Sequence, residues 1–191
     1  MPHIVEEVSS RGFASLARSV LPETAESDVH LVDGIYLSWD EEEGDVQVSL
    51  PPSGDDLLHI KARVGGRPRW LCLNIALGEN TFDPGSVFGV VAGLQGCEGE
   101  TLPMFIRTSR EDETVDTHLV EKLAGSDKES VRVAMHQLMA SDGLVGEPGF
   151  HTLVVELPAH DFDLIVHDMR LFVLQSGKTP GAMPATLGSF A

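Results

Sequence analysis

Trp70 is the side chain whose type and setting speak most directly of ligand chemistry. Between positions 69 and 77 the aliphatic Leu71, Leu73, Ile75 and Leu77 alternate with Trp70, Cys72, Asn74 and Ala76. An extended strand therefore puts the indole and the Asn74 amide on the side opposite the aliphatic ladder. An indole on an open sheet face offers a flat apolar surface and one N–H donor, which suits stacking against the apolar face of a pyranose ring. Hydroxyl partners for such a ring are at hand on other strand-like segments. His59, Lys61 and Arg63 alternate with Leu58, Ile60, Ala62 and Val64, and Arg107 shares the parity of Phe105 opposite Leu102, Met104 and Ile106. The same residues also read without a ligand, with Trp70 capping the core and the charged groups solvated. Tyr36 and Trp39 have opposite parities, so at most one of them faces the core. Aromatic residues make up 6% of the chain, which favours a small pocket over a broad stacking plane.

Catalytic signatures are absent. The chain contains no GxSxG, GxGxxG or GxxxxGK[ST] stretch, and its eight histidines are scattered without HxH, HExxH or HxxxH spacing. No catalytic residue is singled out, and no metal ligand set is defined. The run Asp40–Asp45 and the cluster Glu111, Asp112, Glu113 and Asp116 carry the hard oxygens calcium prefers, but without EF-hand spacing, and solvated acidic loops explain them as well. His160, Asp161, Asp163, His167 and Asp168 are dense enough to name; a turn followed by an edge strand accounts for them. Cys72 and Cys97 belong to no CxxC or Cys/His cluster and read as buried free thiols.

The elements that must carry these residues are mostly strands. Phe13, Leu16, Ala17 and Val20 follow helical spacing, with Ser9 or Ser10 as a cap and Pro22 as a stop, so positions 1–28 form an N-terminal helical segment. From Val29 onward the period is two, and about nine short strands punctuated by Gly, Pro and Asp turns are expected up to Gln175. Thr108–Ser130 is irregular, with a short helix through Val115, Leu119, Val120 and Leu123 or a loop with a strand as alternatives. In the last strand Leu164 and Val166 share one parity, and Met169, Leu171 and Val173 the other. An extra residue at His167-Asp168, a β-bulge, would bring both sets to one face; burial of both faces would do as well. Residues 176–191 read as a loose tail.

These elements predict a mainly β protein: a two-sheet antiparallel β-sandwich, or jelly roll, with one or two short helices, in a single domain over 1–191. The chain of 191 residues is long enough to bury about 70% of its unfolded surface without disulfide staples. Its 13 basic and 30 acidic residues give a net charge of −17, which opposes nucleic acid and anionic membranes. No basic start with an apolar h-region opens the chain, and the expected compartment is cytoplasmic.

The strand at 68–78 (PRWLCLNIALG), followed by further strands and the closing run 163–172 (DLIVHDMRLF), resembles the galactose-binding-like jelly rolls found among carbohydrate-binding modules. The resemblance spans roughly Val29 to Gln175. It implies a sugar ligand and, in many such modules, a structural calcium; no other cofactor is expected. The reading favoured is a non-catalytic carbohydrate-binding module with Trp70 stacking and Asn74, His59, Lys61, Arg63 and Arg107 as hydroxyl partners. A protein-interaction or assembly module, homo-oligomers included, comes second, and a carbohydrate-active enzyme on the same scaffold third.

Overall fold

Alternating burial makes the strands, and it does so in two layers. The computed structural model describes residues 3–175. Its elements are α1 (Ile4–Leu16), β1 (Thr24–Ala25), β2 (His30–Val32), β3 (Ile35–Trp39), β4 (Gly44–Ser49), β5 (Leu58–Gly66), β6 (Leu71–Asn80), β7 (Val87–Leu102), β8 (Met104–Ser109), β9 (Thr114–His118), β10 (Leu123–Gln137), β11 (Gly149–Glu156) and β12 (Phe162–Leu174). Sheet I has the order β1-β4-β5-β12-β7-β10 and sheet II the order β2-β3-β6-β11-β8-β9. All their pairings are antiparallel. The inward ladders of both sheets, including Ile60, Val90 and Leu171 from one and Leu37, Ile75 and Leu153 from the other, meet in a single apolar core. This is the sandwich that the two-residue period predicts.

The bulge predicted in the last strand is present. Pairing of β12 with β7 slips between Val166 and Asp168, so Leu164, Val166, Met169, Leu171 and Val173 all face the core. His167 is the extra residue, and the strand twists there without losing its apolar face.

Three expectations are corrected. The helix begins at Ile4, not near Ser9 or Ser10: the His3 ring caps it by accepting from the Val5 amide at 3.3 Å, and Ser9 is buried inside it, donating from Oγ to Val5 O at 2.7 Å. Val5 and Leu16 enter the core whereas Val20 is fully exposed, because the apolar face starts further upstream than the Phe13 repeat shows. The segment 1–28 is not wholly helical either, since Thr24 and Ala25 pair with β4. No second helix forms through residues 115–123; those residues feed β9 and β10, which extend sheets II and I. The expected tail, 176–191, lies outside the described residues.

In β10 the apolar parity points the unexpected way. Ala134, His136 and Leu138 are buried, while Val131, Val133 and Met135 are 69%, 53% and 47% exposed. The register with β7 sets Ala134 opposite the core residue Val90, which fixes the choice. No helix among the described residues is long and apolar enough to cross a membrane.

Candidate functional site

The outer face of sheet II is ordered in rows by its register. Tyr36, Asn74, Val154, Phe105 and His118 lie side by side across β3, β6, β11, β8 and β9. On one side runs the row Ser38, Cys72 and Glu156, and on the other Ala76, Thr152, Arg107 and Asp116. Strand spacing sets neighbours in a row about 5 Å apart, and the pleat sets successive rows about 7 Å apart.

Phe105, Val154 and Cys72 form a small buried apolar cluster outside the main core. They floor a groove of about 300 Å³ whose polar lining comes from Ser38, Asn74, Arg107 and Glu156. The Asn74 side-chain nitrogen donates to Ser38 Oγ at 2.9 Å. Arg107 lies over the Phe105 ring at 5.3 Å and binds both oxygens of Asp116, at 2.8 and 2.7 Å. That pairing raises the Arg107 pKa and takes the Asp116 carboxylate out of play. Burial, with Glu156 adding to it, pushes the Cys72 thiol up to about 12, so it remains a neutral part of the floor and no nucleophile.

Trp70 stands at one end of this groove, 42% exposed. One of its faces is held by a neighbouring ion pair. The Arg69 guanidinium sits over the indole at 5.0 Å from the ring centroid. Arg69 is in turn gripped by Asp40, whose buried carboxylate accepts from Nε at 2.6 Å, from Nη2 at 3.0 Å and from the Arg69 amide at 3.1 Å. The hydrogen bonds from Arg69 hold the Asp40 carboxyl far below the usual carboxylate range, against the opposing pull of burial. The Asp40 amide also donates to Trp70 O at 3.1 Å, tying the two loops together. The first acid of the Asp40–Asp45 run is therefore a positioning residue for the indole. Among the described residues no three His, Cys, Asp or Glu side chains converge as a metal cage.

A second, larger cleft of about 680 Å³ lies further along the same strands, toward α1. Its floor carries Ala76, Thr152 and the stacked rings of His30 and Tyr36, 4.9 Å apart, and its wall is α1, through Val8, Arg11 and Ser15. Burial raises the Tyr36 pKa, so the phenol stays protonated.

The structure splits the expected ligand residues. Trp70, Asn74 and Arg107 converge on the sheet II groove. His59, Lys61 and Arg63 belong to β5 and face outward from sheet I, on the opposite side of the sandwich, so they cannot serve the same ring. There His59 Nε2 meets Asp163 at 2.6 Å and Lys61 Nζ meets it at 2.9 Å. Their outward parity is as expected, but parity does not say which sheet a strand joins. Trp39 is buried in the core and Tyr36 faces outward, as opposite parities require. Cys72 is buried, whereas Cys97 is half-buried in a bulged part of β7. Phe105, Glu156 and Ser38 were missed as groove residues. For Phe105 the signal is in the sequence, since it shares the parity of Arg107.

No family model matches the chain, and no curated protein matches it. Solved structures similar to it are carbohydrate-binding modules with a β-sandwich fold. The CBM22-1 xylan-binding domain of Xyn10C from Paenibacillus barcinonensis has 8% identity, with 83% of this chain and 100% of that one covered and a TM-score of 0.46. The family 11 carbohydrate-binding module of Lic26A-Cel5E from Clostridium thermocellum has 10% identity, 84% and 100% coverage and a TM-score of 0.47. The family 30 module of Cel9D-Cel44B from the same organism has 13% identity, 83% and 90% coverage and a TM-score of 0.44. The likeness is one of sandwich architecture, and the case for a ligand rests on the groove's own side chains.

Proposed function

We propose that this chain is a carbohydrate-binding module that takes a glycan in the groove on the outer face of sheet II. The observation that carries this reading is the exposed Trp70 indole, braced by Arg69 and the buried Asp40, beside an apolar floor with polar walls. A pyranose has the matching anatomy, an apolar C–H face ringed by hydroxyls. Asn74, Arg107 and Ser38 supply donors, and the Glu156 carboxylate, which has no ion pair among the described residues, supplies acceptors. Asp116, the other carboxylate near the groove, is engaged by Arg107.

Calorimetric titration against soluble xylan, mixed-linkage β-glucan and amylose fragments tests the reading. Trp70→Ala is expected to weaken binding by about tenfold or more, the equivalent of about 1.4 kcal/mol. Lys61→Ala, on the far side of the sandwich, is the matched control and leaves binding unchanged. Equal loss in both variants, or binding to none of the glycans, sinks the proposal.

A second reading, self-assembly, is favoured by β10. It is an edge strand of sheet I, and its Val131, Val133 and Met135 side chains stand in solvent. A two-fold related copy pairing antiparallel along this edge would lay Val131 beside Val133 of its partner and cover the stripe.

A further inference from the structure

We propose that the groove is blind at its α1 end, so that it receives the terminus of a neutral glycan chain and not an internal stretch; this rests on the carbohydrate reading above. The Trp70 groove and the α1 cleft lie over successive rows of the same strands, which makes them two stations along one line. Asn74 and Val154 line the first, and Ala76 and Thr152, the next row on the same two strands, line the second. From Trp70 to Ala76 this line covers about 20 Å of extended strand, room for a short oligosaccharide.

Beyond Ala76 the line meets the helix, which lies across the strand ends. Val8 packs on Gly78 of β6, Gly12 packs on Ile35 of β3, and α1 also touches β2. A Cβ at Gly78 would fall 3.1 Å from Val8 Cγ2, and one at Gly12 would fall 3.2 Å from Ile35 Cδ1. Absence of side chains at both positions lets the helix pack closely against the ends of β6 and β3, and it also packs on β12 of sheet I. Val5 and Leu16 anchor it in the core, so the wall is part of the fold and not a lid. A glycan running along the strands would meet Val8, Arg11 and Ser15 of this wall.

The wall's chemistry fits an uncharged, hydroxyl-rich end. Arg11 on the helix and Asp33 on the β2–β3 turn both line the cleft, yet neither forms an ion pair among the described residues. A donor and an acceptor of opposite charge, left open to a cleft floored by the His30–Tyr36 stack, can share the hydroxyls of one terminal sugar. A net charge of −17 works against a polyanion in the same place.

The experiment uses the whole chain and a polysaccharide from the same glycan panel at constant mass, before and after shortening by mild acid. End recognition predicts that bound protein per gram rises in proportion to the number of chain ends. It also predicts that Ser15→Phe, which fills the α1 cleft from an exposed helix position, weakens binding about tenfold. Arg11→Ala, which adds no bulk, is the second variant and weakens binding in the same direction. If shortening leaves the protein load per gram unchanged, or if both variants bind as the parent does, end recognition is overturned while glycan binding stands. Should no polysaccharide bind at all, the carbohydrate reading falls and takes this inference with it.

Discussion

The two outer faces of the sandwich both carry ion pairs but set them differently. Among the described residues of sheet I, several charges are paired with one another, Arg63 excepted: Lys61 and His59 share Asp163, Arg170 meets Asp168 at 2.9 Å, and His167 hydrogen-bonds Asp56. At Asp163, burial opposes ionisation, but the hydrogen bonds from Lys61 and His59 outweigh it and lower the pKa. On sheet II, Asp40 and Asp116 are also paired, but their arginines lie against Trp70 and Phe105, and Glu156, Arg11 and Asp33 are left open to the clefts. What distinguishes the sheet II pairs is the aromatic residue that each paired arginine lies against. A salt bridge alone makes a surface; one that holds a ring in place makes a platform.

The largest expected effect sharpens that contrast through stability. Phe105 is a buried part of the sheet II floor, and Phe105→Ala is expected to cost about 3 kcal/mol, at the lower end for buried Phe truncation. Phe172 lies on the outside of sheet I, its ring filling the space over Gly89, and is half-buried. Its truncation is expected to cost about half as much. Urea unfolding of both variants measures the difference. Equal costs would mean that the sheet II cluster is no more a packed floor than the isolated ring on sheet I.

A smaller effect is set by pH and bears on the support of the sheet II face. His151 is buried on the inner side of β11. Its Nδ1 is 2.9 Å from Thr108 Oγ1 on β8, and its Nε2 is 3.1 Å from the carbonyl of Asn80 at the end of β6. Burial lowers its pKa below the ordinary 6.5. A histidine whose pKa is lower folded than unfolded favours the fold when neutral, so its contribution is complete above about pH 6.5 and is lost as pH falls through its folded pKa. Protonation would also turn Nδ1 from acceptor to donor and reverse its bond with the Thr108 hydroxyl, which would then have to accept. Stability should therefore decline below about pH 6.5, and His151→Gln should flatten that decline. His160, on the exposed turn 158–161, works in the opposite sense. The Asp161 carbonyl, and then Glu100, raise its pKa, so its smaller contribution is present at low pH and fades as pH rises through the folded value. Denaturant midpoints of parent and His151→Gln from about pH 5 to 8 decide the matter; identical slopes would remove His151 as the cause.

Much of the fold was legible because burial on one side of a strand writes itself as a period of two. Even the His167 bulge could be read, since the parity of the aliphatics changes there and a core-facing strand cannot change faces. What the period cannot write is the partner of each strand. His59, Lys61 and Arg63 have the same outward parity as Asn74 and Arg107, and only long-range pairing sends β5 to sheet I and β6 and β8 to sheet II. The helix start was missed because Ile4, Val5 and Val8 precede the clearer Phe13 repeat, and a histidine cap is an unusual signal. Asp40 was unreadable as a support for Trp70, since within an acidic run nothing marks the one carboxylate that turns inward.

The smallest expected change concerns the flank of sheet I, where the apolar side chains of Val131, Val133 and Met135 face solvent. Val131 and Val133 lie on an edge strand, and a carboxylate guards that edge at Met135, whose amide donates to Glu121 Oε2 at 2.7 Å. Val133→Lys should change the folding stability by no more than about 0.5 kcal/mol, because the side chain it replaces is already in water. Its effect belongs to association. If this edge pairs with a second copy, the parent scatters light as a dimer at micromolar concentration and the lysine variant as a monomer, since an edge lysine is both solvated and repelled by its symmetry mate. A parent that is already monomeric leaves the stripe without a role in self-assembly, and an occupant is then to be sought in the sheet II groove.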